Sequence, residues 1–129
     1  MRTLMSILTV LALGACSGGG DATCDGAAPV ALADVQASIF SPSCATSGCH
    51  TGGLPAEGLS LDDGKSFGGL VNVHAASDPS KLLVKPGDPG ASLLYTQVQS
   101  GIMPQNAPPL SAAQVDQIRG WICAGAPSD

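Results

Sequence analysis

The seven residues from Cys44 to His50 constrain this chain more than any other feature of its sequence. Two thiols, those of Cys44 and Cys49, and the imidazole of His50 lie together in one short loop. The rest of the chain offers little material for a large core, since only 3% of its residues are aromatic while glycine and proline number 17 and 10. Small domains with thin cores usually depend on a disulfide, a metal or a cofactor. We therefore expect the fold to be organised around this loop.

The spacing of the loop is typical of covalent haem attachment. In the common signature, C-x-x-C-H, two cysteines bond the vinyl groups of the porphyrin and the adjacent histidine ligates the iron. Here four residues separate Cys44 from Cys49, which is a wider and rarer form of the signature. The loop thus predicts one covalent haem c, with His50 as an iron ligand. A buried haem would also give the small side chains of the domain a large apolar body to pack around.

The N-terminus has the features of a bacterial export signal. Arg2 is followed by an apolar run over residues 4–13, which is too short to span a membrane. Residues 13–16, Leu-Gly-Ala-Cys, resemble a lipobox, in which cleavage before Cys16 leaves that thiol lipidated. The alternative is an ordinary cleaved signal, with Cys16 removed or free.

The chain is accordingly expected to divide into three parts. These are a lipoprotein signal peptide at residues 1–15, a lipidated Cys16 with a flexible tether at 16–29, and a folded domain at 30–127. The lipid anchor would hold the protein at a membrane of the bacterial cell envelope, facing the periplasm or the cell surface.

The mature chain is expected to carry a net negative charge. Once Arg2 is removed with the signal, four basic side chains remain against ten acidic ones, a formal charge of −6 (4 − 10). Nucleic acid is excluded as a partner because it demands clustered positive charge. The surface suits a redox partner protein with a basic docking patch, but a solvated acidic surface with no specific partner explains it equally well.

The apolar pattern predicts helices separated by long loops rich in glycine and proline. Residues 30–40 have helical spacing, and Pro42 is expected to end that helix just before the Cys44 loop. A second helix is expected over residues 91–98, whereas residues 66–73 fit either a short helix or a strand.

The last helix has the clearest signals. Ser111 and Gln114 form a capping box, and Leu110 and Val115 occupy the two positions of a hydrophobic staple. Gly125 is expected to terminate the helix. One apolar face is formed by Val115, Ile118, Trp121 and Ile122.

A haem electron-transfer site needs a second axial ligand, and a methionine thioether raises the reduction potential. The predicted mature chain contains one methionine, Met103, which precedes Pro104 in a loop between two predicted helices. An isolated methionine is ordinarily core filler, but the haem motif favours Met103 as the distal ligand. His74 is the other candidate, although a lone histidine among small polar residues is more often a solvated loop residue.

From Phe40 to Ala126 the chain resembles small monohaem c-type cytochromes of the class I kind, and it is similar to exported cytochrome c domains of myxobacterial and planctomycete type. The matching segments are Ile39-Phe40, Cys44 with Cys49-His50, Val84-Lys85-Pro86-Gly87-Asp88-Pro89, Ser92-Leu93-Leu94, Ile102-Met103-Pro104, Leu110-Ser111, Trp121-Ile122 and Gly125-Ala126. The departure from the family pattern is the four-residue spacer between the cysteines.

This resemblance implies a mostly α, cytochrome c-like domain around one covalent haem. It implies that Cys44 and Cys49 form the thioethers, that His50 is the proximal iron ligand and that Met103 is the distal one. The implied function is electron transfer rather than catalysis. A small-ligand or peroxide activity is expected only if the distal bond is absent.

Two further expectations concern the cysteines. Cys24 and Cys123 are the remaining pair, and an oxidising compartment favours a disulfide between them over two unpaired thiols. The rival to the haem hypothesis is a haem-free exported lipoprotein module in which Cys44 and Cys49 form a disulfide. In a variant of that rival, a structural zinc is bound by Cys44, Cys49, His50 and His74.

Overall fold

The computed structural model describes residues 22–129. The predicted signal peptide at residues 1–15 and the predicted lipidation site, Cys16, lie outside these residues. Regular structure in the described part is mostly helical, as the sequence predicted, and its β structure is confined to three isolated bridges. None of the helices described is long and apolar enough to cross a membrane.

Four α-helices follow one another along the chain, joined by long loops that contain short turns of 3₁₀-helix. The helices are α1 (Leu32–Val35), which continues directly into a π-helical segment (Gln36–Cys44), α2 (Ser66–Leu70), α3 (Leu93–Gln99) and α4 (Ala112–Cys123). The 3₁₀ turns are Ala56–Gly58 and Pro89–Ala91. The ambiguous segment after residue 66 is therefore a helix at its start.

The expectation that Pro42 ends the first helix is wrong. The helix widens into the π form and continues through Pro42 to Cys44. In a π-helix each N–H bonds to the carbonyl five residues earlier, and the Ala45 N–H closes such a bond to the Phe40 carbonyl at 2.7 Å. Proline has no N–H to contribute, but the looser turn tolerates that loss. The segment thereby delivers Cys44 to the core, where it is 9% exposed.

Helix α4 forms as its sequence signals predicted. The Ser111 Oγ accepts from the Gln114 N–H at 3.2 Å, and the Gln114 Oε1 accepts from the Ser111 N–H at 2.9 Å, which completes the capping box. At the other end Gly125 has a φ of +97°, and the Ala126 N–H bonds to the Trp121 carbonyl at 3.0 Å. This is a Schellman termination, in which the left-handed residue reverses the chain.

The core is built on the predicted apolar face of α4. Trp121 is fully buried and meets Phe40 of the π segment edge to face, with ring centroids 6.3 Å apart and an interplanar angle of 84°. Such aromatic pairs add about 0.5–1.5 kcal/mol beyond their buried area. The core also contains Leu32, Val35, Ile39, Cys44, Leu61, Leu70, Val84, Tyr95, Val98, Val115, Ile118, Ile122 and Ala126.

The segment before α1 is fastened to α4. Cys24 and Cys123 form a disulfide, the pairing that the sequence predicted. The largely buried Arg119 guanidinium donates through Nη1 to the carbonyls of Thr23 at 2.8 Å and Asp25 at 3.2 Å. Packing against the helices therefore begins before residue 30, within the stretch that was assigned to the tether.

The segment before α1 also approaches α4 closely, and the C-terminus approaches the start of α1. A Cβ at Gly120 would lie 2.2 Å from the Ala28 carbonyl oxygen and 2.9 Å from a Val30 methyl carbon, so only glycine fits there. At the C-terminus, the Leu32 N–H donates to the Asp129 carbonyl at 2.9 Å. The described contacts thus extend past the predicted domain limit at residue 127.

Replacing both Cys24 and Cys123 by serine is expected to lower the free energy of unfolding by about 3–5 kcal/mol, because the bond closes a loop with a sequence separation of 99. Urea unfolding followed by circular dichroism measures the change. An unfolding midpoint equal to that of the wild type would show that the bond adds nothing to stability.

Gly120→Ala is expected to destabilise the protein by about 1–3 kcal/mol, since the added methyl would overlap the Ala28 carbonyl. Gly68→Ala is the matched control: it also lies in a helix, α2, but a Cβ there meets nothing within 4 Å. The control should be neutral or stabilising by up to about 1 kcal/mol. Thermal unfolding of both variants makes the comparison, and equal effects would contradict the close approach.

Candidate functional site

The loop from Cys44 to His50 is compact despite its four-residue spacer. The Cys49 N–H bonds to the Thr46 carbonyl at 2.9 Å, which folds the spacer into a β-turn. Gly48 holds the left-handed position of this turn, with a φ of +81°. The His50 N–H then returns to the Cys44 carbonyl at 3.1 Å. The spacer is therefore folded up, so that the peptide groups of Cys44 and His50 are in contact.

The His50 ring is held by one hydrogen bond that determines its tautomer. Its Nδ1 lies 3.1 Å from the Leu59 carbonyl oxygen. A carbonyl oxygen can only accept, so Nδ1 carries the proton and the neutral ring keeps an unprotonated Nε2. Metal-binding histidines in proteins are oriented by the same kind of bond on the second nitrogen. The imidazole of His50 is thus prepared to donate a lone pair through Nε2.

The chain that follows His50 folds back along the same loop. The Ala56 N–H bonds to the Cys49 carbonyl at 2.8 Å, and the Leu61 N–H bonds to the His50 carbonyl at 2.7 Å. Leu59, whose carbonyl faces the imidazole, lies between these two contacts. The backbone around the ring is consequently fixed on both sides.

Asp62 ties this returning segment to the residues just after His50. Its carboxylate accepts hydrogen bonds from the Thr51 hydroxyl, the Ser60 hydroxyl at 3.0 Å and the Gly52 N–H at 3.4 Å. The bond from Thr51 is the main reason that the pKa of this carboxyl lies below its usual range, and the bonds from Ser60 and Gly52 act in the same direction. Asp62 could not be identified from the sequence, because its partners Thr51 and Gly52 are separated from it by most of the returning segment.

Gln36 is a second residue that sequence reasoning missed. It is buried in the π segment, where its Nε2 donates to the Leu61 carbonyl at 2.9 Å and its Oε1 accepts from the Ser66 hydroxyl at 2.6 Å. Buried polar groups of this kind are normally satisfied. The Gln36 Nε2 also donates to the nearby Ser41 hydroxyl at 3.0 Å. No local pattern distinguishes this glutamine from a solvent-exposed one, since its buried partners, Leu61 and Ser66, are distant in sequence.

Cys44 and Cys49 are free thiols in the structure, Cys44 buried and Cys49 half-buried. Burial raises the pKa of the Cys44 thiol to about 11, with a smaller electrostatic contribution from Cys49. Cys44 is therefore neutral at ordinary pH in the metal-free chain. Residues 22–129 contain no group of three or more His, Cys, Asp or Glu side chains that could hold a metal ion. Neither the Cys44–Cys49 disulfide nor the zinc cluster with His74 is formed.

The two candidate distal ligands lie in different settings. Met103 is half-buried and packs against the core cluster to which Cys44 belongs, and its N–H bonds to the Gln97 carbonyl at 3.1 Å. The peptide bond between Met103 and Pro104 is cis. His74 is exposed and pairs with Leu82 in an isolated β-bridge. The structure thus associates Met103, rather than His74, with the core next to the loop.

Two surface cavities lie elsewhere on the protein. A cavity of about 720 Å³ is lined by His74, Lys81, Lys85 and the chain around Ser92. A second, of about 370 Å³, lies between α3 and α4 and is lined by Tyr95, Val115 and their neighbours. Neither is lined by Cys44, Cys49, His50 or Met103. Cys44, Cys49 and His50 share one loop, and Met103 packs against the core cluster that contains Cys44, but none of the four lines either cavity.

Three large apolar side chains are exposed in the described part of the chain. Leu54 is 99% exposed, Ile102 is 55% exposed and Phe67 is 38% exposed. Leu54 follows the Cys44–His50 loop in sequence, and Ile102 directly precedes Met103. Phe67 lies on α2, whose Gly69 faces the Leu59 side chain.

The chain matches no protein-family model, no curated protein and no solved structure. Its function is therefore argued from its own residues.

The buried Cys44 thiol is expected to be alkylated slowly and with a steep dependence on pH. Because thiolate is the reactive form, its rate should rise about tenfold per pH unit between pH 7 and 10 and level off only near its pKa of about 11. Iodoacetamide labelling of the haem-free folded chain, with mass mapping of each cysteine, measures the rate. Urea-unfolded protein is the control, and a rate that levels off near pH 8.5 in both states would contradict the burial effect.

Proposed function

We propose that this chain is a monohaem c-type electron carrier. In this proposal Cys44 and Cys49 form thioethers to one haem, His50 is its proximal ligand and Met103 its distal ligand. The haem supplies a one-electron ferrous–ferric couple when bound. Cys16 would anchor the exported protein at a membrane of the cell envelope, and its partners would be other redox proteins.

The observation that carries the proposal is the hydrogen bond from His50 Nδ1 to the Leu59 carbonyl. It leaves Nε2 as the free donor of a histidine that directly follows Cys49. The bond is the type of support that orients a metal-bound imidazole and increases its basicity.

The state of the cysteines supports the same assignment. Cys24 and Cys123 are joined, while the two cysteines that precede His50 remain free thiols. Thioether formation requires free thiols, because each S–H adds across a vinyl double bond: the sulfur bonds one carbon and the hydrogen goes to the other. The donor set of two thiols, an imidazole and a thioether therefore fits a covalent haem.

Burial and apolar surface favour Met103 as the second ligand. Its side chain already packs against the core that contains Cys44, whereas His74 is exposed. Leu54, Phe67 and Ile102 offer apolar surface that a flat macrocycle could cover. Covering such surface stabilises by about 25 cal/mol per Å², which would enlarge a core that is otherwise thin.

With both axial positions filled by side chains, the protein is a carrier rather than a catalyst. Loss of the Met103 bond would open a position to small ligands or peroxide. The acidic surface of the chain suits a partner with a basic docking patch.

The mass of the mature protein tests the cofactor directly. Protein made in cells with the haem-attachment machinery should be about 600 Da heavier than the apoprotein, since thioether-bound haem survives denaturation. Cys44→Ser with Cys49→Ser is the control and should lose the added mass. An intact mass equal to the bare chain, with no low-spin haem absorption, would rule out the proposal.

Met103→Ala in the haem protein should lower the midpoint potential, because a thioether ligand favours the ferrous state. His74→Ala should leave the potential unchanged. Spectroelectrochemical titration of the two variants beside the wild type makes the test. A reversed pattern would transfer the distal role to His74.

A further inference from the structure

The proximal histidine depends on a backbone segment that is itself held by a side chain. Leu59 offers its carbonyl to the His50 Nδ1 at 3.1 Å, and the Leu61 N–H donates to the His50 carbonyl at 2.7 Å. Both contacts come from one short stretch, residues 59–62. Any displacement of that stretch would move the hydrogen-bond acceptor away from the imidazole.

Asp62 joins this stretch to the chain that leaves His50. One carboxylate oxygen accepts from the Thr51 hydroxyl, and the other accepts from the Gly52 N–H and the Ser60 hydroxyl. Thr51 is the residue directly after the histidine, and Ser60 is the residue directly after Leu59, whose carbonyl accepts the hydrogen bond from the imidazole. The carboxylate therefore links the segment at residues 50–52 to the segment at residues 59–62, and the His50–Leu59 hydrogen bond forms between these two segments.

The opposite side of the stretch is held from the interior. Gln36 donates to the Leu61 carbonyl at 2.9 Å, and the Leu59 side chain lies against α2, since a Cβ at Gly69 would be 3.2 Å from a Leu59 methyl carbon. These contacts hold residues 59–62 in place on the side that faces the core. On the solvent side, the bonds of Asp62 do the same.

We propose that Asp62 is a positioning residue for His50, which it orients through the Leu59 carbonyl without touching the ring. Its role for iron rests on the proposed function, whereas its effect on the imidazole does not. The bond to Nδ1 decides which ring nitrogen carries the proton and which is free to donate its lone pair. Removing the carboxylate loosens the Leu59 carbonyl, mixes the two tautomers and weakens His50 as a donor. A turn residue with no such role would leave the tautomer unchanged.

Asp62→Ala is the principal variant and Asp63→Ala its matched control. Asp63 is the adjacent residue, is exposed and carries the same charge. Both variants remove one negative charge at neighbouring positions, so the loss of net charge is common to both. Asp62→Ala also removes an exposed ion pair with Lys65 at 3.8 Å, whereas Thr51→Val leaves that ion pair in place. Thr51→Val removes the strongest partner of the carboxylate and keeps the carboxylate itself.

The first readout uses the haem-free chain. The ¹⁵N chemical shifts of the His50 ring nitrogens, measured at a pH where the ring is neutral, distinguish a protonated Nδ1 from a protonated Nε2. The wild type and Asp63→Ala should show a single Nδ1–H tautomer. Asp62→Ala should show averaged shifts, and Thr51→Val an intermediate pattern. If Asp62→Ala fails to fold, Thr51→Val decides the question.

The second readout uses the haem protein. A weakened His50 donor favours the ferrous state, so Asp62→Ala should raise the midpoint potential further than Asp63→Ala does. Second-sphere losses at metal sites weaken ligation about 10–100-fold, so added imidazole should displace an axial ligand more readily in Asp62→Ala than in the control.

Equal ring shifts in Asp62→Ala and the wild type, or equal changes in Asp62→Ala and Asp63→Ala, would overturn the positioning role. A wild type that never acquires haem, but whose tautomer is lost in Asp62→Ala, would refute the haem function and uphold the positioning role for the imidazole.

Discussion

The contact between Trp121 and Phe40 is the interaction on which the rest of this structure depends. Helix α4 is the longest regular helix described, and its fully buried indole meets the π segment that ends at Cys44. The Phe40 carbonyl, in turn, accepts the N–H of Ala45, the first residue after Cys44. The position of the Cys44–His50 loop is therefore set by the packing of a helix, α4, that begins about sixty residues later in the chain.

The thinness of the core explains why this contact is reinforced so heavily. A chain with few aromatic residues can reach a high packing density by bringing backbone segments close together. At Gly120 the backbone of Ala28 is so near that no side chain could be accommodated. The disulfide to Cys24 and the Arg119 bonds to Thr23 hold the same two segments in register. Covalent, polar and close-packed contacts thus converge on one face of α4, and they compensate for the missing apolar volume.

Features with local signals could be predicted from the sequence, and features that depend on distant partners could not. The capping box of Ser111 and Gln114 involves residues three apart, so the start of α4 could be predicted from that segment alone. The π-helical passage through Pro42 accompanies the burial of Phe40 against Trp121 of α4, a distant contact that overrides the local preference of proline to end a helix. Gln36 and Asp62 are typical loop or surface residue types, and only the fold brings them to the chain around His50.

The four-residue spacer between the cysteines folds compactly, so its greater length does not separate Cys44 from His50. In the common signature the two cysteines are separated by two residues, and two additional residues could have made the loop long and mobile. Here the turn from Thr46 to Cys49 absorbs the additional length, with Gly48 in a conformation that other residues resist. The closing bond from the His50 N–H to the Cys44 carbonyl returns the chain to its starting point. The His50 side chain therefore extends from a closed loop of defined shape. Because both ends of that loop are fixed, its Nδ1 lies within hydrogen-bond distance of the Leu59 carbonyl.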